Sequence, residues 1–351
     1  MNYKIVNITD SGNQSVLIIY TGGTFGMVQD ESGSLAPFNF GKAVDRIPVL
    51  KSLGLKLTVI SFPVPIDSSN IALGDWRNMA YIIEENYSQY DGFVILHGTD
   101  TMAYSSSMLS FMLKGLNKPV IFTGAQIPIG SPRSDARENL IAALEIASTF
   151  RDGKPIVHEV CLYFNYLLLR GNRAQKIRSS TFAAFESENY PPLAEVGIDI
   201  EFNETALRPF SNEENLKVLS DINPNVSVLK IFPGITPEVV TAVLLNPTTK
   251  GIVLESYGSG NTMKVDWFLT CMQEAIEAGK VILNVSQCIG GKVIQGKYET
   301  SKKLNEIGVL SGGDITTEAA LTKLMFVLGR EKKKKKIVEL LTTPMAGEMD
   351  E

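Results

Sequence analysis

Val16-Leu17-Ile18-Ile19-Tyr20-Thr21-Gly22-Gly23-Thr24-Phe25-Gly26 is the stretch that decides how this chain folds. Its apolar opening, Val16 to Tyr20, shows no polar alternation. It therefore reads as a strand buried on both faces, as in a parallel sheet covered by helices. Gly22 and Gly23 permit a tight turn and let backbone N–H groups come close to a bound group. Thr24 is then displayed at a strand end, and the carboxyl ends of parallel strands are where open α/β sheets hold ligands. The glycine spacing fits neither a dinucleotide fingerprint nor a phosphate loop with its lysine. Taken alone, a plain strand-to-loop turn accounts for the stretch equally well.

Outward from this strand the same rhythm recurs. Short Val- and Ile-rich runs at 57–62, 93–97 and 120–124 alternate with segments of helical period at 75–87, 102–114 and 134–148, the last opened by a capping Ser134. The spacing predicts an α/β domain with crossover helices. After Phe185 the chain turns polar, with Tyr190-Pro191-Pro192, Arg208-Pro209 and Asn223-Pro224. Proline blocks helix interiors and sheet centres, so 191–225 reads as a linker. Strand runs resume at 226–232, 251–256 and 280–285, and Thr236-Pro237 has the form of a helix start. The expected organisation is a catalytic α/β domain over 1–190, the linker, and a smaller α/β domain over 226–351. Lys332 to Lys336 precede apolar Ile337, Val338, Leu340 and Leu341, and read as a solvated helix face.

With 33 basic and 38 acidic side chains the net charge is −5, which gives no electrostatic reason to bind nucleic acid or an anionic membrane surface. No run reaches the ~18 apolar residues of a membrane span. Met1 to Asp10 lacks the apolar core of an export signal, so a cytoplasmic protein is expected. The histidines are His97 and His158, and the cysteines Cys161, Cys271 and Cys288 show no metal-ligand spacing. Neither a metal nor another cofactor is expected, and the base for any hydrolysis must come from elsewhere than histidine.

Three further stretches fall where a ligand would sit. His97-Gly98-Thr99-Asp100-Thr101 closes the strand run at 93–97, mirroring the first threonine-bearing strand end, and Asp67-Ser68-Ser69-Asn70 follows the run at 57–62. Capping explains Asp100, and turn formation explains the Ser and Asp cluster, when each is taken separately. Together the strand ends outline a crevice for a small polar substrate. His97 reads as a satisfied structural residue. Lys176, within Arg170-Gly171-Asn172-Arg173-Ala174-Gln175-Lys176, is not distinguishable from a surface lysine by spacing.

At these residues the chain resembles the L-asparaginases, and more narrowly the cytoplasmic bacterial type I group. The resemblance runs in order through Thr21 to Met27, Asp67 to Asn70, His97 to Ser105, Thr123 to Leu140, Arg170 to Lys176, Ser256 to Asn261 and Gln287 to Val293. It implies Thr24 as nucleophile, forming an acyl-enzyme with the side-chain carbonyl of L-asparagine and expelling ammonia. It implies a Thr99-Asp100-Lys176 arrangement handling the proton, and Ser68, with Asp67 and Ser69 beside it, holding the substrate α-carboxylate while Asp100 faces the α-amino group. A threonine hydroxyl needs such an adjacent base.

The resemblance also implies a homodimer or homotetramer. Two departures stand out. Ser34 occupies a place where type I relatives carry a lid tyrosine, which leaves Tyr257, with Asn261 nearby, as a further source of a site hydroxyl. Glu255 replaces an arginine of allosterically activated relatives, so effector binding near Glu255 and Cys288 is expected to be weakened or absent. Alternative readings are a glutaminase-asparaginase, the asparaginase-like subunit of a tRNA-dependent amidotransferase, and a non-catalytic amino-acid sensor. The amidotransferase subunit carries an extra N-terminal domain, whereas the first motif here begins about twenty residues in.

Overall fold

The computed structural model describes residues 3–29, 35–37, 47–210, 215–296 and 299–351; Ser34 lies outside them. It divides into two units, Met1–Leu219 and Ser220–Glu351. The first is built on a nine-stranded sheet of β1 (Lys4–Thr9), β2 (Gln14–Gly22), β3 (Leu55–Ile66), β4 (Gly92–Leu96), β5 (Val120–Thr123), β6 (Val160–Phe164), β7 (Leu167–Arg170), β8 (Ala194–Val196) and β9 (Ile200–Phe202). Their order across the sheet is β1-β3-β2-β4-β5-β6-β7-β8-β9. β3, β2, β4, β5 and β6 are parallel neighbours, and the outer pairings are antiparallel.

The unbroken apolar runs sit where both faces are covered. Val16, Leu17, Ile18 and Ile19 of β2 and Phe93 to Leu96 of β4 are fully buried. The helices that cover them are α1 (Leu73–Asn86), α2 (Met102–Met112) and α3 (Ala136–Ala147). In α1 the buried Trp76, Met79, Ala80 and Ile83 recur at the helical period and form its inward stripe. From β2 the chain goes to β3 on one side, and from β4 to β5 on the other. Neighbouring β2 and β4 therefore flank a topological switch point, where ligands bind in open α/β sheets. Their register, Ile19 opposite Ile95 and Tyr20 opposite Leu96, brings Thr21 and His97 to the same level.

Three expectations are corrected. The stretch read as a linker from 191 contributes β8 and β9, and Lys217–Val218 pairs with Leu113–Lys114, so the unit boundary lies after Leu219. Pro191 and Pro192 stand before β8 and cost no ladder hydrogen bond, the position where a sheet tolerates proline. The helix expected to run to Lys114 ends at Met112 for the sake of that same pairing. The helix expected from Ser134 begins at Ala136, with Asp135 at the N-cap and the Ser134 hydroxyl accepting from Ala136 N at 3.1 Å.

The second unit has a parallel sheet of β10 (Val226–Lys230), β11 (Gly251–Ser256), β12 (Val281–Ser286) and β13 (Leu310–Ser311), in that order. Its helices are α4 (Pro237–Leu244), α5 (Asp266–Glu277), α6 (Glu299–Ile307), α7 (Thr317–Arg330) and α8 (Lys334–Thr342). Thr236 and Pro237 open α4 as expected. Lys332 to Lys336 are exposed while Ile337 and Leu341 turn inward, so the basic run is a solvated face. The C-terminal segment is fastened by an ion pair between Lys323 and Glu348, 2.6 Å apart with both side chains 0% exposed. Among the described residues no helix is long and apolar enough to cross a membrane.

Candidate active site

The loop after β2 is placed by its glycines. Gly22 and Gly23 adopt φ of 136° and 81°, which a side chain would strain. A Cβ on Gly23 would lie 2.5 Å from Gly98 Cα, and one on Gly98 would lie 2.6 Å from Ser68 Oγ. The loops after β2 and β4 thus meet backbone against backbone at Gly23, and the loop after β4 rests on the Ser68 side chain at Gly98, so a side chain on either glycine would force a shift. Gly23 N donates to Ile66 O at 3.0 Å and Thr21 Oγ1 to Leu96 O at 2.9 Å, tying the β2 end to both neighbours. Thr24 follows as the first residue of a short 3-10 turn, half-buried, with Phe25 in the core behind it.

The loop after β4 is anchored by His97, the structural residue that its burial suggests. Its Nδ1 is 2.7 Å from Gly98 O and its Nε2 3.0 Å from Ser105 Oγ. A carbonyl can only accept, so Nδ1 carries the proton and Nε2 accepts from Ser105, whose oxygen in turn accepts from Trp76 Nε1 at 2.9 Å. Every member of this chain is satisfied by a neutral imidazole. Complete burial lowers the His97 pKa from 6.5 to about 4, against a smaller opposite effect of the Gly98 hydrogen bond.

Thr99 and Asp100 then meet Lys176. The lysine ammonium donates to Thr99 Oγ1 at 2.7 Å and to Asp100 Oδ1 at 2.6 Å. Lys176 is 16% exposed and Asp100 65%, so the pair has one side in the protein and one in solvent. Lys176 is delivered from beyond β7. The buried Arg170–Glu159 pair, at 2.6 Å, fixes the strand end, and Gly171 O accepts from Ser106 Oγ at 2.8 Å. Gln175–Lys176 then pairs antiparallel with Phe185–Glu186.

Sequence reasoning missed Gln126. It lies in the loop after β5, a fourth strand end to which the argument for the other three applies. Thr99 Oγ1 donates to Gln126 Oε1 at 3.2 Å. The amide is oriented by Nε2, which donates to Ser179 O at 3.2 Å and Thr181 O at 3.0 Å. Asp135 holds the loop by accepting from Gln126 N and Ile127 N. The Thr99 proton therefore faces Gln126 while its lone pair faces Lys176.

Ser68 is buried beneath Gly98, whereas Asp67 and Ser69 are exposed. Asp67 Oδ1 accepts from Ser69 N at 3.1 Å and caps the turn Ser68–Asn70. Tyr257, Asn261, Glu255 and Cys288 belong to the second unit. Tyr257 and Asn261 exchange backbone hydrogen bonds of 2.9 Å at the end of β11. Glu255 is engaged within its own unit, pairing with Lys230 at 3.2 Å and accepting from Thr317 Oγ1 at 2.7 Å. Cys288 is an exposed thiol beyond the end of β12.

The first unit is thus an α/β domain whose switch point carries Thr24, Ser68, Thr99 and Asp100 on the loops after β2, β3 and β4, with Lys176 joined to Thr99 and Asp100 from beyond β7. Residues 15–208 match the family model described as asparaginase, N-terminal, and residues 225–341 that of the glutaminase/asparaginase C-terminal domain. The chain belongs to the asparaginase family. It is 40% identical over 339 residues to L-asparaginase 1 of Escherichia coli K12, covering 96% of this chain and 98% of that one. It is 39% identical to the 60 kDa lysophospholipase of Mus musculus, over 95% of this chain and 62% of that longer protein. Among solved structures, L-asparaginase I from Vibrio cholerae superposes with a TM-score of 0.88 at 39% identity, covering 96% of this chain and 99% of that one.

Proposed function

We propose that this protein hydrolyses L-asparagine to L-aspartate and ammonia, with Thr24 as the nucleophile. The observation that carries the reading is Lys176, which bridges Thr99 Oγ1 and Asp100 Oδ1 at the switch-point crevice. Thr24 Oγ attacks the side-chain amide carbon, and its proton passes through the Thr99 hydroxyl to Lys176, which reacts as the neutral amine and becomes the ammonium. The same pair returns a proton to the departing nitrogen, so the C–N bond breaks and ammonia leaves an aspartyl ester on Thr24. Water then attacks the ester carbon, its proton follows the same route, and L-aspartate is released with the threonine restored. Backbone N–H groups of the Gly98–Asp100 turn are assigned to the developing oxyanion, where one donor is typically worth about 3 kcal/mol.

Ser68, with Asp67 and Ser69 beside it, is assigned to the α-carboxylate, and Asp100 also to the α-amino group. Tyr257 and Asn261 are further candidates for contact with substrate. A homo-oligomer in the cytoplasm completes the reading, and three free cysteines suit a reducing compartment. Coupled ammonia assays with L-asparagine, L-glutamine and D-asparagine over a concentration series test it. Turnover of L-asparagine is expected to exceed that of the other two. Binding of asparagine without ammonia release would replace the hydrolase with a sensor.

A further inference from the structure

Thr101 directly follows the Thr99-Asp100 pair, and its hydroxyl donates to Ser68 O at 2.7 Å, crossing from the loop after β4 to the loop after β3. A threonine at the N-cap of α2 would ordinarily spend its hydroxyl on the first turn of the helix. Here the side chain makes no cap hydrogen bond. Its polar group serves the neighbouring loop instead.

Among the described residues, two hydrogen bonds tie that loop to the rest of the site. At its start, Ile66 O accepts from Gly23 N, which fixes it relative to the segment bearing Thr24. At Ser68, the carbonyl accepts from Thr101 as well as from Ile71 N at 3.2 Å within its own turn. The first tether lies two residues before Ser68, so the second decides how the serine sits against Gly98.

We propose that Thr101 is a positioning residue for substrate binding: through Ser68 it holds the subsite for the α-carboxylate in register with Thr99, Asp100 and Lys176. The inference rests on the amidohydrolase reading above. It separates two parts of the reaction, because the Thr101 hydroxyl is given to Ser68 O and not to the groups that handle the proton. Loss of its hydroxyl misplaces the group that recognises one end of the substrate and leaves the chemistry at the other end intact.

The fold tolerates the change. Ser68 O keeps its bond from Ile71, so no buried acceptor is orphaned, and valine preserves the shape of threonine. Thr101→Val is expected to raise KM for L-asparagine about tenfold while kcat stays within about threefold, the pattern of lost ground-state binding. Thr101→Ser, which restores the hydroxyl, is expected to return KM to near the wild-type value. β-Alaninamide, which is asparagine without its carboxylate, should be turned over equally poorly by wild type and Thr101→Val.

A KM unchanged by valine overturns the inference, and so does a serine variant that matches valine. A parallel fall of kcat and melting temperature, with KM constant, overturns it as well. Wild-type protein that releases no ammonia overturns the hydrolase reading and this inference with it, whereas an active wild type indistinguishable from Thr101→Val overturns the inference alone.

Discussion

Two lysine–carboxylate pairs in this protein share one distance and do opposite things. Lys176–Asp100 and Lys323–Glu348 both measure 2.6 Å. Lys323 and Glu348 are fully buried, and backbone groups of the C-terminal segment hold both of them. Lys323 also donates to Thr343 O at 2.7 Å, and Glu348 accepts from Met345 N and from Ala346 N at 2.7 Å. Burial lowers the Lys323 pKa, and Glu348 works against that fall. Nothing can enter, and the pair closes the C-terminal segment onto α7. At Lys176 the third partner is a threonine hydroxyl, and the carboxylate faces solvent. Ion-pair distance therefore says little about role; the identity of the third partner and access to solvent say more.

The comparison breaks most visibly if the pairs are cut one at a time. Thr24→Ala and Lys176→Met are expected to lower ammonia release from L-asparagine at least about 10³-fold, as for groups that act only in the reaction. Their unfolding free energies should stay within about 1 kcal/mol of wild type, since a partly exposed pair contributes little to stability. Glu348→Gln should do the reverse. Leaving Lys323 buried without its counter-charge is expected to cost about 3–5 kcal/mol in denaturant unfolding, while the folded fraction keeps its kcat. A Lys176→Met protein that unfolds like Glu348→Gln would erase the distinction.

His97 sharpens the contrast from behind the site. Its pKa is about 4 in the folded chain and near 6.5 when unfolded. Between these values the unfolded chain takes up a proton that the folded chain refuses. Stability is therefore full above pH 6.5 and falls as pH drops, by up to about 3 kcal/mol below pH 4. Urea unfolding at pH 7 and pH 4.5 should show part of that loss, and His97→Gln should reduce it. An equal acid loss in the variant would assign it to other groups.

The smallest expected effect concerns the second unit. Glu255 is held by Lys230 and Thr317, so a carboxylate already occupies this place. Saturation with L-asparagine is expected to be hyperbolic. Strong sigmoidicity that disappears on changing Glu255 would show that the region near Glu255 and Cys288 still takes an effector.

Much of this arrangement can be read in the sequence because strand ends carry it. The buried runs before Thr24 and Thr99 predict both the sheet and the edge where these residues meet. Lys176 was identifiable only through the family resemblance. It reaches Thr99 by long-range devices, the Arg170–Glu159 pair and a two-residue ladder, which leave no periodicity. Gln126 does not stand out in the sequence because an amide is neither nucleophile nor base, and its part is to orient another side chain. The false linker has a physical cause too: β8 and β9 are short strands at the sheet edge, where the prolines before them are tolerated and no apolar run is needed.

The covalent step on Thr24 decides the mechanism. Mass spectrometry of protein quenched during turnover of L-asparagine should find an aspartyl ester on the peptide that contains Thr24, and none in Thr24→Ala. An ester on the Thr99 peptide instead, or full turnover by Thr24→Ala, would contradict it.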